Sequence, residues 1–537
     1  MIFHSMDTNY SILQSAKQFF VGTLFSRFTG LARDMAMAFW FGVSPEIAAF
    51  MVAYRLANLF RRLVGEGNLQ AGFVPHFETL RLQDTKRSFL FYRDTAFSLF
   101  VSLFILIALI EGVLWLCYKQ LGGSWSEIAK LSMWMAPGLL FICLSSLNSA
   151  FLRCQKKYFI TAASPIFFNF IWILTAFIAH YFPLKESIII LSCGVTFAFA
   201  MQWLSTARAA QKEWALQLHW NEWFCPQIFS SDWKQLLKPM AVGIIGAGAL
   251  QFNSAVDSIF GLIADVSGPA YLWYAIRVQQ LPLALFGIAL SGALLPPLSR
   301  ALQEGSLDRY QNLLETALKR SAILMIPCSF AILALGGSGL NLLFGRGDFS
   351  SQDIQETLYC LWAYGAGILP SVFVLLFATG FYAQKSYNIP AMASFLAVLL
   401  NLGLNCLMVF GFRWGAVSIA LATSLSSLFN AAVLYFSLSQ RLDFSFWAFL
   451  IRLSLTSAAA SVLTIWLGGV WLGDATWDIC LGQPSSFTRL GLAQLIQFSG
   501  MTLLFLSSFF VVARMNGLGQ IFSFIRGKVD QEISEEA

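Results

Sequence analysis

Charged side chains are scarce in this chain of 537 residues. Only 12% of the residues are charged and 57% are hydrophobic, whereas soluble domains average about 25% charged residues. This deficit excludes an ordinary soluble domain and indicates an integral membrane protein. The net charge of +6 does not indicate a nucleic-acid partner, because most basic residues fall in short loops, where the positive-inside rule accounts for them.

Catalytic and metal-binding motifs are missing as well. The nine cysteines form no CxxC pair and no Cys/His spacing, and four histidines leave little for metal or acid–base chemistry. The sequence contains neither a Walker-type GxxxxGK[ST] nor an HExxH. We therefore expect a protein that is not an enzyme and that needs no organic cofactor.

Long apolar runs dominate what is present, and fourteen of them are long enough to span a bilayer. They predict an all-α polytopic membrane protein with about 14 transmembrane helices. Loops on one side hold about three times as many Lys and Arg residues as loops on the other, which predicts that both termini are cytoplasmic. The predicted spans are residues 13–40, 45–66, 90–118, 127–152, 159–182, 187–207, 235–263, 269–298, 315–343, 355–383, 388–411, 414–438, 446–472 and 488–513.

The chain contains an internal repeat. The pattern QKxYxIxA occurs at Gln155 to Ala162 and again at Gln384 to Ala391, and a second match aligns Arg55 with Arg277. Both matches join spans that are six apart, so each half is predicted to be a six-helix bundle. Because six is even, the halves run in the same direction, as in transporters whose two halves rock to give alternating access. The predicted domains are an N-lobe (1–225), a C-lobe (226–440), two extra helices (441–515) and a cytoplasmic tail (516–537).

Arginines are concentrated in apolar sequence between Ser26 and Pro75. A guanidinium at bilayer depth costs from about 3 to more than about 10 kcal/mol, so it normally faces a wet cavity or an anionic partner. Its planar fork binds phosphate through two hydrogen bonds. The cluster therefore predicts a positive cavity for a diphosphate, a phospholipid-like head group or a carboxylate-rich solute. Its members are Arg27, Arg33, Arg55, Arg61 and Arg62, of which the last two have snorkelling to the interface as an equal alternative.

Two acids lie beside these arginines. Asp34 and Glu66 are expected to pair with neighbouring arginines rather than to act as bases, which gives them and Arg62 a secondary place in the cavity. Gly30, next to Thr29, is expected to break or bend the first helix at this point.

Several of these stretches together resemble the MurJ (MviN) family of lipid-linked peptidoglycan precursor flippases, within the multidrug/oligosaccharidyl-lipid/polysaccharide exporter superfamily. The resemblance starts with SRFTGLARD (Ser26 to Asp34) and AFMVAYRLANLFRRLVGEGNLQAGFVPHF, and continues through YAIRVQQLPLALFGIALSGALLPPLSR to AFLIRLSL near the end of the chain. It implies a flippase that moves lipid II from the inner to the outer leaflet of the bacterial cytoplasmic membrane. Its partners would be lipid II, membrane lipids and other peptidoglycan-synthesis proteins.

The resemblance also implies roles for individual residues. In the family, the arginines at Arg27, Arg33, Arg61 and Arg277 line the central cavity, where here they would hold the pyrophosphate and acidic groups of the head group. Arg55 joins them as the repeat equivalent of Arg277. The chain departs from the family at Ala48 and Ile276, where the family usually has Asp, so the cavity here is expected to be more positive. The last two spans would form a groove for the polyprenyl tail.

A sodium ion is bound in the second half of some family members. The counterparts here are Asp257, Asn401 and Asn405, with Thr423 as a weaker member, and such oxygen ligands suit a hard cation. The alternative for the two asparagines is hydrogen bonding between helices.

Three other functions remain open from the sequence. One is an exporter of the same superfamily that carries another polyprenyl-linked saccharide or an amphiphile. A polytopic glycosyl- or phospho-transferase is the second, although the outer loops are short. The third is a structural membrane scaffold, which would leave the arginines unexplained.

Overall fold

The computed structural model describes residues 9–60, 68–283, 288–438, 442–472, 475–480, 483 and 487–518. Every regular element within these ranges is a helix, which confirms the all-α class. Helices follow from the apolar composition, because a lipid environment leaves backbone N–H and C=O groups no partner except each other. Arg61, Arg62 and Glu66 lie outside the described residues.

The chain divides into two compact units, Met1–Leu262 and Ile263–Ala537. The helices of the first unit are α1 (Asn9–Phe41), α2 (Pro45–Phe60), α3 (Asn68–Gln83), α4 (Thr85–Gln120), α5 (Gly123–Met135), α6 (Gly138–Cys154), α7 (Tyr158–Ala163), α8 (Pro165–Ala179), α9 (Leu184–Trp214), α10 (Trp220–Trp223) and α11 (Ser231–Ala264), whose last turn crosses the boundary.

The second unit contains the remaining helices. They are α12 (Gly268–Pro282), α13 (Ile288–Gln303), α14 (Leu307–Phe344), α15 (Ser351–Gly365), α16 (Ile368–Ala383), α17 (Asn388–Cys406), α18 (Val417–Phe436), α19 (Phe444–Leu472), α20 (Ala475–Cys480) and α21 (Gly491–Met515). Beyond α17 the helix widens into a π-helical turn over Leu407–Phe412, which ends at Arg413 with a left-handed φ of 56°.

Each predicted span overlaps at least one helix. Within the described ranges, nine helical segments are long and apolar enough to cross a membrane, or ten if the bent pair α5–α6 is a single span, so the count of fourteen stays a prediction. The axes of α5 and α6 differ by 45°. Pro137 lies at this bend, and its ring removes the N–H that a continuous helix would need there.

The first helix differs from expectation at Gly30, because α1 runs unbroken from Asn9 to Phe41. A glycine inside a helix costs about 1 kcal/mol relative to alanine, which packing against other helices readily offsets. Here α1 packs against α7 and α8. The helix ends at Gly42, whose φ of 52° and N–H bond to the Ala38 carbonyl at 3.0 Å form a left-handed cap.

The second sequence match corresponds to a repeated local layout. Arg55 lies in α2 and Arg277 in α12, and each of these helices is followed by another of sixteen residues that contains proline, Pro75 in α3 and Pro297 in α13. The same order of short helix and proline-containing helix in both units supports the duplication.

The connection between α9 and α11, residues 215–230, contains the short helix α10. It is fixed to α4 by the buried side chains of Arg93 and Asp94, which pair with each other at 2.6 Å. Arg93 Nη1 donates to the Glu222 carbonyl at 2.5 Å, and the N–H of Gln227 donates to Asp94 Oδ1 at 2.9 Å.

Candidate functional site

Arg33 is the most enclosed of the described candidate arginines, with 6% of its surface exposed. Its Nε and Nη2 atoms donate to Asp34 Oδ1 at 3.0 and 2.7 Å, and Nη1 donates to Asn169 Oδ1 at 3.2 Å. The guanidinium also lies over the ring of Trp172, 4.6 Å from its centroid. The expected pairing of Asp34 with a neighbouring arginine is therefore found, and it neutralises the charge of Arg33 inside the helix bundle.

Asn169 and Trp172 in α8 were missed by sequence reasoning. Asn169 Nδ2 also donates to the Ser26 carbonyl at 3.2 Å and to Thr29 Oγ1 at 3.0 Å, so this single amide holds a full turn of α1. A signal was available, because Asn169 is the one amide in the strongly apolar helix α8, and polar residues in such helices usually bond to another helix.

The aromatic side of this site connects Arg33 to α2. Trp172, which is 1% exposed, packs edge-on against Tyr54 with ring centroids 4.7 Å apart, and Tyr54 immediately precedes Arg55 in the chain. Cation–π and edge-to-face contacts of this kind fix side-chain orientation in a dry environment. Arg33 and α2 are thus joined through α8.

Arg27 and Arg55 are less enclosed than Arg33. Arg27 has an exposed side chain in α1, and Arg55 is half-buried in α2. Arg55 Nη1 donates to Ser258 Oγ of α11 at 2.8 Å. Among the described candidate arginines of the first unit, Arg27 is therefore the exposed one, whereas Arg55 is partly exposed and bonded to α11.

Arg277 belongs to α12 of the second unit. It is half-buried, and its guanidinium lies 4.2 Å from the ring centroid of Trp273. Ile276 beside it is also half-buried, whereas Ala48 in α2 is fully buried. An apolar residue at Ala48 is consistent with this burial, because a carboxylate there would need a compensating partner.

The four residues suggested for sodium are divided between the units. Asp257 lies in the first unit, 6% exposed, and accepts a bond from Asn253 Nδ2 at 3.3 Å. In the second unit, Asn405 Nδ2 donates to Asn401 Oδ1 at 2.9 Å inside α17, and Thr423 Oγ1 donates to the Ile419 carbonyl at 2.9 Å in α18.

Each of these side chains carries an amide, carboxylate or hydroxyl oxygen, which is the type of ligand that a hard cation takes. The bond between Asn401 and Asn405 equally fits the hydrogen-bonding alternative, although it links two turns of one helix rather than two helices. Among the described residues, no group of three or more His, Cys, Asp or Glu side chains could hold a metal ion.

Known proteins resemble this chain over most of its length. The family model described as "Lipid II flippase MurJ" matches residues 37–479. The "Probable lipid II flippase MurJ" of Chlamydia pneumoniae is 31% identical over 439 residues, which cover 81% of this chain and 79% of that protein. The protein of the same name in Aquifex aeolicus (strain VF5) is 30% identical over 451 residues, or 81% and 85% of the two chains.

Solved structures show the same fold. "Lipid II flippase MurJ, inward closed conformation" matches with a TM-score of 0.73 and 23% identity, and the match covers 92% of this chain and 98% of that chain. A "multidrug resistance MATE family transporter of the MOP superfamily" in an inward-facing conformation matches with a TM-score of 0.63 and 12% identity over 76% and 92% of the two chains.

Proposed function

This chain belongs to the MurJ family, and on that premise we propose that it is a lipid II flippase. It moves the undecaprenyl-pyrophosphate-linked peptidoglycan precursor from the inner to the outer leaflet of the bacterial cytoplasmic membrane. The family is one of transporters, as the sequence led us to expect. The match to residues 37–479 is the observation that carries the proposal, because it includes both copies of the internal repeat.

The arginines have different roles, some structural and some in binding the head group. In Arg33 the guanidinium fork is occupied by Asp34 and Asn169, so its role is to hold α1 against α8. Arg27 and Arg55 in the first unit and Arg277 in the second are more exposed than Arg33, and each of them binds a phosphate or an acidic group of the head group. Arg61 continues this set beyond the described residues.

Alternating access is the mechanism that we propose for the two repeats, with both chain termini in the cytoplasm. The polyprenyl tail stays in an apolar setting along the last two spans while the polar head crosses. Each elementary charge that crosses 100 mV gains about 2.3 kcal/mol, so an anionic head group leaving a negative interior moves downhill. A flipping rate that does not respond when the potential is collapsed would contradict this source of energy.

Sodium is a second candidate for coupling. In the second unit, Asn401, Asn405 and Thr423 would supply amide and hydroxyl oxygens, which a hard cation accepts. Asp257 of the first unit is a separate candidate that offers a carboxylate. Transport that requires sodium in the native chain and loses that requirement in Asn405→Leu would support this coupling.

Complementation tests the proposal directly. The native chain should restore growth of a bacterial cell depleted of its lipid II flippase, while Arg27→Ala, Arg55→Ala and Arg277→Ala should each fail at equal membrane levels. Arg309→Ala is the matched control, because Arg309 is exposed and pairs only with Glu304 in the loop before α14. Failure of a well-expressed native chain would instead favour another polyprenyl-linked or amphiphilic cargo.

A further inference from the structure

A concave site lies in the first unit, and its wall contains none of the candidate arginines or sodium ligands discussed above. It is a cavity of about 350 Å³ between α4, α6, α9 and α10, a size within the range of ordinary ligand sites. Four tryptophans contribute to its wall, together with Tyr92 and Asn148. The Tyr92 hydroxyl and the Asn148 side-chain amide are hydrogen-bonded to each other at 2.7 Å, so these two polar groups of the wall satisfy each other.

The cavity has a polar end and an apolar end. Along α4, Phe100 lies about 12 Å further from the start of the helix than Tyr92, at 1.5 Å per residue. Along α9, Leu204 lies one turn further from the helix end than Arg208. Phe100, Leu144 and Leu204 therefore line the end that is further from the 215–230 connection, whereas Arg208, Gln211 and the tryptophans of α10 line the end near it.

The polar end is positively charged. Arg208 is exposed and is the one charged residue in the wall. The acids nearest in sequence have basic partners already, because Glu213 pairs with Lys157 at 3.3 Å and Glu222 with Lys86 at 2.5 Å. Within the part of the chain that the structure describes, Arg208 forms no ion pair. Its guanidinium is thus available to an anion from outside the chain.

We propose that this cavity binds one anionic phospholipid of the surrounding bilayer. Arg208 holds the lipid phosphate, and one acyl chain runs inward along Leu204 and Phe100. Tryptophan rings favour this depth, where an apolar body meets the polar head-group region. Because α10 forms one wall of the cavity, the bound lipid also holds the 215–230 connection against α4, next to the Arg93–Asp94 pair.

Native mass spectrometry of the full-length chain in detergent tests this site, with phosphatidylglycerol or phosphatidylcholine as the added lipid. We expect one phosphatidylglycerol to be retained about tenfold more tightly than phosphatidylcholine, and Arg208→Gln to remove that preference. Lys212→Gln is the matched control, because Lys212 is an exposed cation one turn further along α9 but is not part of the wall. Ala207→Phe fills the cavity and should weaken the retention of both lipids.

Three outcomes would overturn the proposal. The first is equal retention by the native chain, Arg208→Gln and Ala207→Phe. The second is an equal loss in Arg208→Gln and Lys212→Gln, which would indicate nonspecific attraction to a basic surface. The third is displacement of the lipid by inorganic phosphate alone at millimolar concentration, which would identify a free anion as the ligand. Complementation is a separate readout, so loss of lipid retention and loss of flippase function are distinguished.

Discussion

Lys156 and Lys385 adopt the same left-handed backbone conformation, with φ angles of 59° and 58°. They occupy the same position in the two copies of the QKxYxIxA repeat, and each follows the end of a helix. In both copies, the residue after the lysine donates its N–H to the carbonyl five positions earlier, at 2.9 Å. This is the hydrogen bond of a Schellman cap. The duplicated sequence therefore specifies a duplicated helix end.

The left-handed conformation of Lys156 predicts an unusual response to glycine. A side chain in this conformation costs about 1–2 kcal/mol, which glycine avoids. We expect Lys156→Gly to raise or preserve the melting temperature in detergent, and Lys156→Val to lower it. Lys157 has φ −94°, so Lys157→Gly should lower stability by about 0.5–1 kcal/mol. Equal changes in stability for Lys156→Gly and Lys157→Gly would contradict the left-handed conformation of Lys156.

The buried pair of Arg33 and Asp34 predicts a non-additive mutant cycle. Asp34→Ala leaves a buried guanidinium without its counter-ion and should cost about 3–5 kcal/mol in the free energy of unfolding. The double variant Arg33→Met/Asp34→Ala leaves no buried charge, so it should cost less than Asp34→Ala alone. Thermal unfolding of the native chain, Arg33→Met, Asp34→Ala and the double variant measures this coupling, and additive losses would show that the pair is solvated.

Because α1 packs closely against α7, we predict that a larger residue at position 22 destabilises the protein. A Cβ atom at Gly22 would lie 2.8 Å from Ala162 Cβ and 3.1 Å from the Phe159 carbonyl oxygen. We expect Gly22→Ala to destabilise the protein by about 1–3 kcal/mol through overpacking. Gly112→Ala in α4 is the control, because nothing lies within 4 Å of that position, and there the helix propensity of alanine should stabilise.

From the Arg93–Asp94 pair we predict that an uncharged residue at position 94 releases the 215–230 connection from α4. Asp94→Asn weakens both the ion pair and the bond from the Gln227 N–H. Amide hydrogen exchange of residues 219–229 should become at least about tenfold faster, since each lost 1.4 kcal/mol of local stability is tenfold. Glu111→Gln on the same helix should leave this segment unchanged. Equally slow exchange in Asp94→Asn would show that the connection is held by its aromatic contacts alone.

We expect low pH to weaken the contact between Lys86 and Glu222 of the 215–230 connection. Hydrogen bonding from Lys86, followed by the His219 N–H, lowers the pKa of Glu222 below its ordinary value of 4.5. The stabilisation is therefore complete above about pH 4.5 and is lost as the pH falls through the lowered pKa. The protection of residues 219–223 against hydrogen exchange, corrected for the intrinsic pH dependence of amide exchange, should fall with acid in the native chain but not in Glu222→Gln. Protection of residues 219–223 that does not change with pH in the native chain would contradict the hydrogen bond between Lys86 and Glu222.

The fold class and the repeat could be predicted from sequence, because both depend on local patterns. Apolar runs of spanning length force helices in lipid, and QKxYxIxA is long enough to align two halves. Breaks inside the predicted spans were harder to predict from the sequence, because the bend at Pro137 depends on how α5 and α6 pack. The predicted break at Gly30 was wrong for a related reason, because packing of α1 against α7 and α8 keeps the helix continuous.

The site was only partly accessible to sequence reasoning. A guanidinium in an apolar run identifies Arg33 as exceptional, but the residues that surround it come from α8, more than a hundred positions later. Pairing between such distant residues is a tertiary property that composition and spacing do not encode. The sequence therefore predicted the pairing with Asp34 but not the hydrogen bond to Asn169. The place of Arg33 in a substrate cavity stays a prediction.

The adjacency of Arg33 and Asp34 has a consequence for biogenesis. Asn169 is 136 residues further along the chain, and at about 5–20 residues per second a ribosome needs roughly 7–27 s to reach it. During that interval α1 has neither the amide of Asn169 nor the ring of Trp172. Asp34 is made one peptide bond after Arg33, so the emerging helix already carries the counter-ion of this guanidinium before α8 has been synthesised.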